Sequence, residues 1–219
     1  HAMRESVGRI IETLRSVRKQ KKIFLFLIAF FFFIDGVYTI IDMATAYGSA
    51  LGLDSTGLLL ALLVTQFVAF PFSILFGRLA EKYDTGKLIL TCIAAYTGIT
   101  VFAVFMKAQW QFWVLAIFVG MFQGGIQALS RSYFAKIVPP ERSGEYFGLM
   151  DICGKGASFM GTTVVGLTSQ AFGSINIGVS AIVFLFLAGA LFFMKTEHSG
   201  SESTKNQENV IMEQQMFHD

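Results

Sequence analysis

Six stretches of mostly apolar residues follow one another along the chain, at about 23–47, 55–76, 88–106, 112–130, 146–168 and 177–194. An α-helix needs about 20 such residues to cross a hydrocarbon core of ~30 Å. The runs are long and continuous, without the in/out alternation of barrel strands, so helices are the spanning element. Composition agrees: charged residues make up 15% of the chain, against about 25% in soluble domains. The 24 phenylalanines include the run Phe30–Phe33, which would be an aggregation hazard on a wet surface. Facing lipid, it needs no burial inside protein. The expected fold is an all-α membrane protein with six transmembrane helices over residues 23–194.

The distribution of Lys and Arg predicts orientation. With six spans, fifteen of them fall on one side: seven before the first span, three in the second-to-third loop, three in the fourth-to-fifth loop and two in the tail. The other side has only Lys107, and Lys155 is left inside a span. Both termini are therefore expected in the cytoplasm. Residues 1–22 read as a cytoplasmic linker. Within it Val7, Ile10, Ile11, Leu14 and Val17 share a helical face, as in an amphipathic helix lying on the inner leaflet. The first apolar run follows this basic segment and is too long for the core of a cleavable signal. Residues 195–219 are polar and aperiodic and read as a disordered cytoplasmic tail.

Ionisable groups at membrane depth cost several kcal/mol unless paired or hydrated, so each marks a candidate site. Counting along each helix puts Asp35 roughly 18 Å in, Gln66 and Gln123 roughly 16 Å, and Lys155 roughly 14 Å. These four polar groups come from the first, second, fourth and fifth spans and share one layer. Asp42 lies two turns beyond Asp35, Gln127 one turn below Gln123, and Asp151 one turn below Lys155. The third and sixth spans have no such residue. Four helices are thus expected around a hydrated cavity, with two at the periphery, a weak 3+3 inverted repeat. The bland alternatives stay open. Asp151 and Lys155 have i,i+4 spacing and could neutralise each other. Gln123 and Gln127 could serve as interhelical packing groups. Asp35 has no basic residue within reach on its own helix. Gly120 and Gly124, then Gly144 and Gly148, have close-approach spacing, and Gly154, Gly156, Gly161 and Gly166 continue along the fifth span. Pro71 is expected to kink the second.

Other function classes are disfavoured. The histidines stand at positions 1, 198 and 218, which removes the usual general base and metal ligand from the interior. Cys92 and Cys153 lie in apolar runs and suggest neither a disulfide framework nor a zinc site. No enzyme activity, metal or cofactor is expected. The net charge of +2 gives no reason to expect nucleic acid.

Between the second and third spans the chain reads Gly77-Arg-Leu-Ala-Glu81-Lys82-Tyr-Asp-Thr-Gly86-Lys87. This resembles the cytoplasmic signature loop of the major facilitator superfamily, with Glu81 where that family more often has Asp and two extra residues before Gly86. Val138-Pro-Pro-Glu-Arg142-Ser-Gly144 resembles the family's second cytoplasmic connection. Three stretches are similar to the bacterial branch of the autophagy-related vacuolar effluxer family. They begin at Asp35, at Gln66 and at Gly124, the last running through Gln127 to Arg131. The resemblance covers nearly all of residues 8–194 and implies the C-terminal six-helix half of a secondary transporter, integral to a bacterial cell (inner) membrane. That half would work with a missing N-terminal half or a second copy, effluxing a small solute such as an amino acid. It also implies an ionic latch between Glu81 and Arg131 at the cytoplasmic mouth. On the leading reading Asp35 is the coupling or substrate-contacting carboxylate, with Lys155 as its counter-charge and Gln66 and Gln123 as orienting hydrogen-bond groups. On the rival reading the chain is a non-transporting membrane scaffold whose polar layer only specifies packing.

Overall fold

In a computed structural model the described residues are 12–216, with side chains described for 12–174 and 177–199. They form helices only: α1 (12–19), α2 (Lys21–Ala50), α3 (Ser55–Lys82), α4 (Thr85–Val104), α5 (Gln109–Ile137), α6 (Ser143–Phe172) and α7 (Ile175–Met216), with a 3-10 turn at Pro140–Arg142. The helix starts follow local chemistry. Asp54 accepts the Gly57 N–H at 2.8 Å and Asp84 accepts the Lys87 N–H at 2.9 Å, capping α3 and α4. The Gln111 side chain accepts the Lys107 and Ala108 N–H groups ahead of α5. Gly173, at φ +66°, ends α6 in the left-handed conformation that suits glycine. Helix α3 continues through Pro71.

Among the described residues, five helical segments are long and apolar enough to cross a membrane: α2, α3, α4, α5 and residues 177–199 of α7. The expected count was six. The remaining helix, α6, has 30 residues but carries Asp151, Lys155 and many Gly, Ser and Thr residues, which lower its hydropathy below that of a lipid-facing span. Helix α7 continues through 195–216, the polar stretch that composition assigns to an unstructured tail. Of the face expected on the linker helix, Val7, Ile10 and Ile11 lie outside the described residues. Val17 is buried while Leu14 is exposed.

Helix α2 is central, packing on α6 and α7; α3 packs on α5, and α4 on α5 and α7. An aromatic cluster fills the middle: Phe26 stacks on Tyr133 and Phe134 and meets Phe193 edge-on. Glycines set two helix–helix distances. A Cβ at Gly120 or Gly124 would lie 2.6 Å from the Thr65 carbonyl or 2.7 Å from that of Ala69, so α5 rides directly on the α3 backbone. At Gly189 a Cβ would lie 2.9 Å from the Phe33 backbone, joining α7 to α2. The basic loops gather at one end, where the Lys136 ammonium donates to Thr85 at 2.9 Å and Lys22 lies over the Tyr133 ring.

Candidate functional site

The α2 residues at 30, 34, 38, 41 and 42 fall on one side of the helix, as a period of 3.6 requires. They face the α6 residues 150, 151, 154, 155 and 158 across a cavity of about 550 Å³. Helix α5 closes it with Gln127 and Arg131. Five of the residues singled out from sequence therefore meet here: Asp42, Gln127, Arg131, Asp151 and Lys155. Three helices line it, not the four expected: α3, α4 and α7 contribute no lining residue.

The charges are arranged asymmetrically. Arg131 of α5 holds Asp151 of α6 at 2.8 Å. Asp42 accepts a hydrogen bond from Ser158 at 3.0 Å. Lys155 is exposed and makes no ion pair among the described residues. The intrahelical Asp151–Lys155 pair left open by spacing is thus not formed, because Arg131 reaches Asp151 from the neighbouring helix. With Arg131 and Asp151 neutralising each other, one unmatched cation and one hydroxyl-held carboxylate remain in the cavity.

Asp35 stands elsewhere. It is fully buried in the seam between α2 and α6, where its Oδ1 accepts the Gly161 N–H at 2.8 Å and the Thr39 hydroxyl at 3.4 Å. Its Oδ2 has no hydrogen-bond partner. It lines no part of the cavity and does not pair with Lys155. Gly161 permits this arrangement: a Cβ there would lie 2.0 Å from the Thr39 hydroxyl and 2.3 Å from Oδ1. Thr39 was passed over in the sequence, and Gly161 was noted only for its close-approach spacing. The available signals were the i,i+4 spacing of Asp35 and Thr39 and the glycine run of α6. Gln66 is exposed on α3 and Gln123 keeps a buried, unpartnered Oε1, so neither shares the cavity with Lys155.

At the basic end Glu81 is exposed and does not pair with Arg131. Gly77 has open space around it, and Lys82 and Lys87 are exposed. The loop is instead held by α5 and α7. Glu197 accepts the Tyr133 hydroxyl and packs so closely on Gly86 that a Cβ there would lie 2.8 Å from its carboxyl carbon. Nearby, α1 docks on the start of α6: Gln20 and Ser16 bond the Tyr146 hydroxyl at 3.1 and 3.2 Å, and Thr13 donates to Glu145 at 3.1 Å. Glu145 also bonds Arg142, whose guanidinium it holds protonated above its usual range.

A bundle of long apolar helices with a charged cavity between them defines a polytopic membrane protein. Residues 1–205 match the family described as vacuole effluxer Atg22-like, and the chain belongs to that family. It is similar to the MFS-type transporter YxiO of Bacillus subtilis, 43% identical over 211 residues, covering 96% of this chain and 49% of that protein. It is also similar to autophagy-related protein 22-2 of Aspergillus clavatus, 28% identical over 80% of this chain and 30% of the relative. Autophagy-related protein 22 of Cryptococcus neoformans is 26% identical over 83% of this chain and 35% of its own length. The chain thus spans half or less of the relatives it matches.

Proposed function

We propose that the chain is one half of an alternating-access transporter that moves a small zwitterionic solute, such as an amino acid, out of the cytoplasm. The observation that carries this reading is the cavity holding Arg131, Lys155, Asp42 and Asp151 between α2, α5 and α6. Charged side chains at membrane depth do not face lipid; they face water, a partner or each other. An exposed charged wall on one side of a bundle therefore calls for a second half, or a second copy, across a hydrated path. The unmatched Lys155 ammonium suits a carboxylate, and Asp42, facing the same cavity, suits an amine. The names of the relatives and the effluxer description of the family support movement of a solute across the membrane.

On this reading α6 also crosses the membrane and brings the count of spans to six. Its 30 residues extend about 45 Å at 1.5 Å per residue, and it packs along α2 and α7, both apolar enough to span. The packing supports a 3+3 repeat: exchanging α2, α3, α4 with α5, α6, α7 carries the α3–α5 contact onto α6–α2 and α4–α5 onto α7–α2. The α6–α7 contact has no counterpart. Both termini lie in the cytoplasm with the basic end, and Asp35 is the coupling carboxylate. Its orphan Oδ2, sealed between helices, suits a proton better than a hydrated cation.

The test is transport of pooled radiolabelled amino acids by the native protein in proteoliposomes. Lys155→Gln and Asp42→Asn should each reduce uptake at least tenfold while leaving insertion and folding intact. Wild-type transport by both variants would remove the cavity from the mechanism. A static scaffold is the second reading, favoured by the complete burial of Asp35; it predicts no solute flux at all.

A further inference from the structure

A second concavity lies on a neighbouring face of the α2–α6 pair. It measures about 530 Å³ and is lined by Phe24, Ile28, Phe31 and Phe32 of α2, Leu149 of α6 and, at its rim, Arg18 of α1. Its wall is almost wholly apolar, with Arg18 as the one charged group. Arg18 is exposed and makes no ion pair among the described residues. Arg15, Lys19 and Lys21 beside it are exposed and likewise unpaired.

The dimensions match one leaflet of a bilayer. Phe32 is eleven residues beyond the start of α2, or about 16 Å along the axis, while half of a hydrocarbon core is about 15 Å. The groove thus begins at the level of the lipid headgroups, where α1 lies, and ends near the midplane. Hydrogen bonds from Thr13, Ser16 and Gln20 pin α1 to α6, so Arg18 is held at the rim by a docked helix.

We infer that this groove binds an anionic phospholipid of the inner leaflet, with one acyl chain against the α2 phenylalanines and the headgroup phosphate on Arg18. An apolar wall in a bilayer takes up acyl chains without any specificity. The unpaired guanidinium at its mouth supplies the selection: any phospholipid offers a phosphate to its fork-shaped donor set, but only an anionic headgroup leaves that charge uncancelled by a cation of its own. The site rests on membrane placement and is independent of whether the chain transports.

The test uses a tryptophan at the rim. Phe24→Trp, in the native protein with every other tryptophan, Trp110 and Trp113 among them, changed to Phe, is reconstituted with brominated phosphatidylglycerol or brominated phosphatidylcholine. Brominated phosphatidylglycerol should quench this tryptophan with about fivefold tighter apparent binding, the factor expected for one basic residue near an anionic headgroup. Arg18→Gln, a change at an exposed position, should make the two lipids equal. Equal quenching with Arg18 present would show annular lipid only and overturn the site, as would selectivity that survives Arg18→Gln. Thermal stability in detergent with each lipid added reads the same selectivity without the introduced tryptophan.

Discussion

Two aspartates stand seven residues apart on α2, and α6 provides a partner to each, yet their surroundings are opposite. Asp35 is sealed in a seam against the α6 backbone with one oxygen unsatisfied. Asp42 is exposed and faces a cavity that also holds Arg131, Asp151 and Lys155. The difference teaches that depth in the membrane does not define a role. A sealed carboxylate affects helix packing and carries at most a proton. A cavity carboxylate costs the fold little and meets whatever enters.

Glycine substitutions should break this comparison most visibly. Gly161→Ala forces a methyl group into the Thr39 hydroxyl and the Asp35 carboxylate, and overpacking of this kind costs typically 1–3 kcal/mol, read here as ~1–3 kcal/mol of lost stability in detergent. Gly166→Ala, with nothing within 4 Å of its Cβ, should be neutral or stabilise by up to about 0.5–1 kcal/mol through helix propensity. Equal losses at the two sites would mean that the seam is not tight.

Next comes the carboxylate itself. Asp35→Ala leaves the buried Gly161 N–H without its side-chain acceptor, which should cost about 1–3 kcal/mol. Asp42→Ala, at an exposed position, should change stability by no more than about 0.5 kcal/mol. Thermal unfolding of the two variants side by side checks the contrast.

A smaller effect separates two readings of Arg131. Both side chains of its pair with Asp151 are at least half exposed, so the coupling should be no more than about 1 kcal/mol. In double-mutant cycles, Arg131→Gln should couple with Asp151→Asn and be additive with Glu81→Gln. Coupling to Glu81 alone would restore the latch implied by the loop signature.

Much of the fold was legible in the sequence because most of the helices are written as apolar runs, two of them opened by a capping aspartate. Asp54 and Asp84 start α3 and α4, close to the expected positions at 55 and 88. At the basic end the helices run further than the apolar count, since Arg78–Lys82 and Arg131–Ile137 remain helical beyond the hydrocarbon. The cavity was legible in level but not in direction. Counting residues fixes how deep Gln66 and Gln123 lie. Which way they face depends on how α3 is rotated, and Gly120 and Gly124 set that by drawing α5 onto the Thr65 and Ala69 carbonyls. The partner of Asp151 was hidden for the same reason, because the choice between Arg131 and Lys155 depends on the packing of α5 beside α6.

The account rests on a division of labour between a sealed, proton-carrying Asp35 and an open cavity that binds solute. The measurement that tests it most directly is amino-acid accumulation by the native protein in proteoliposomes, with and without a proton gradient, for wild type and Asp35→Asn. The variant should insert and fold, exchange solute down its own gradient, and fail to accumulate solute when the proton gradient is applied. Equal gradient-driven accumulation by both proteins would contradict the account and leave Asp35 as a packing residue.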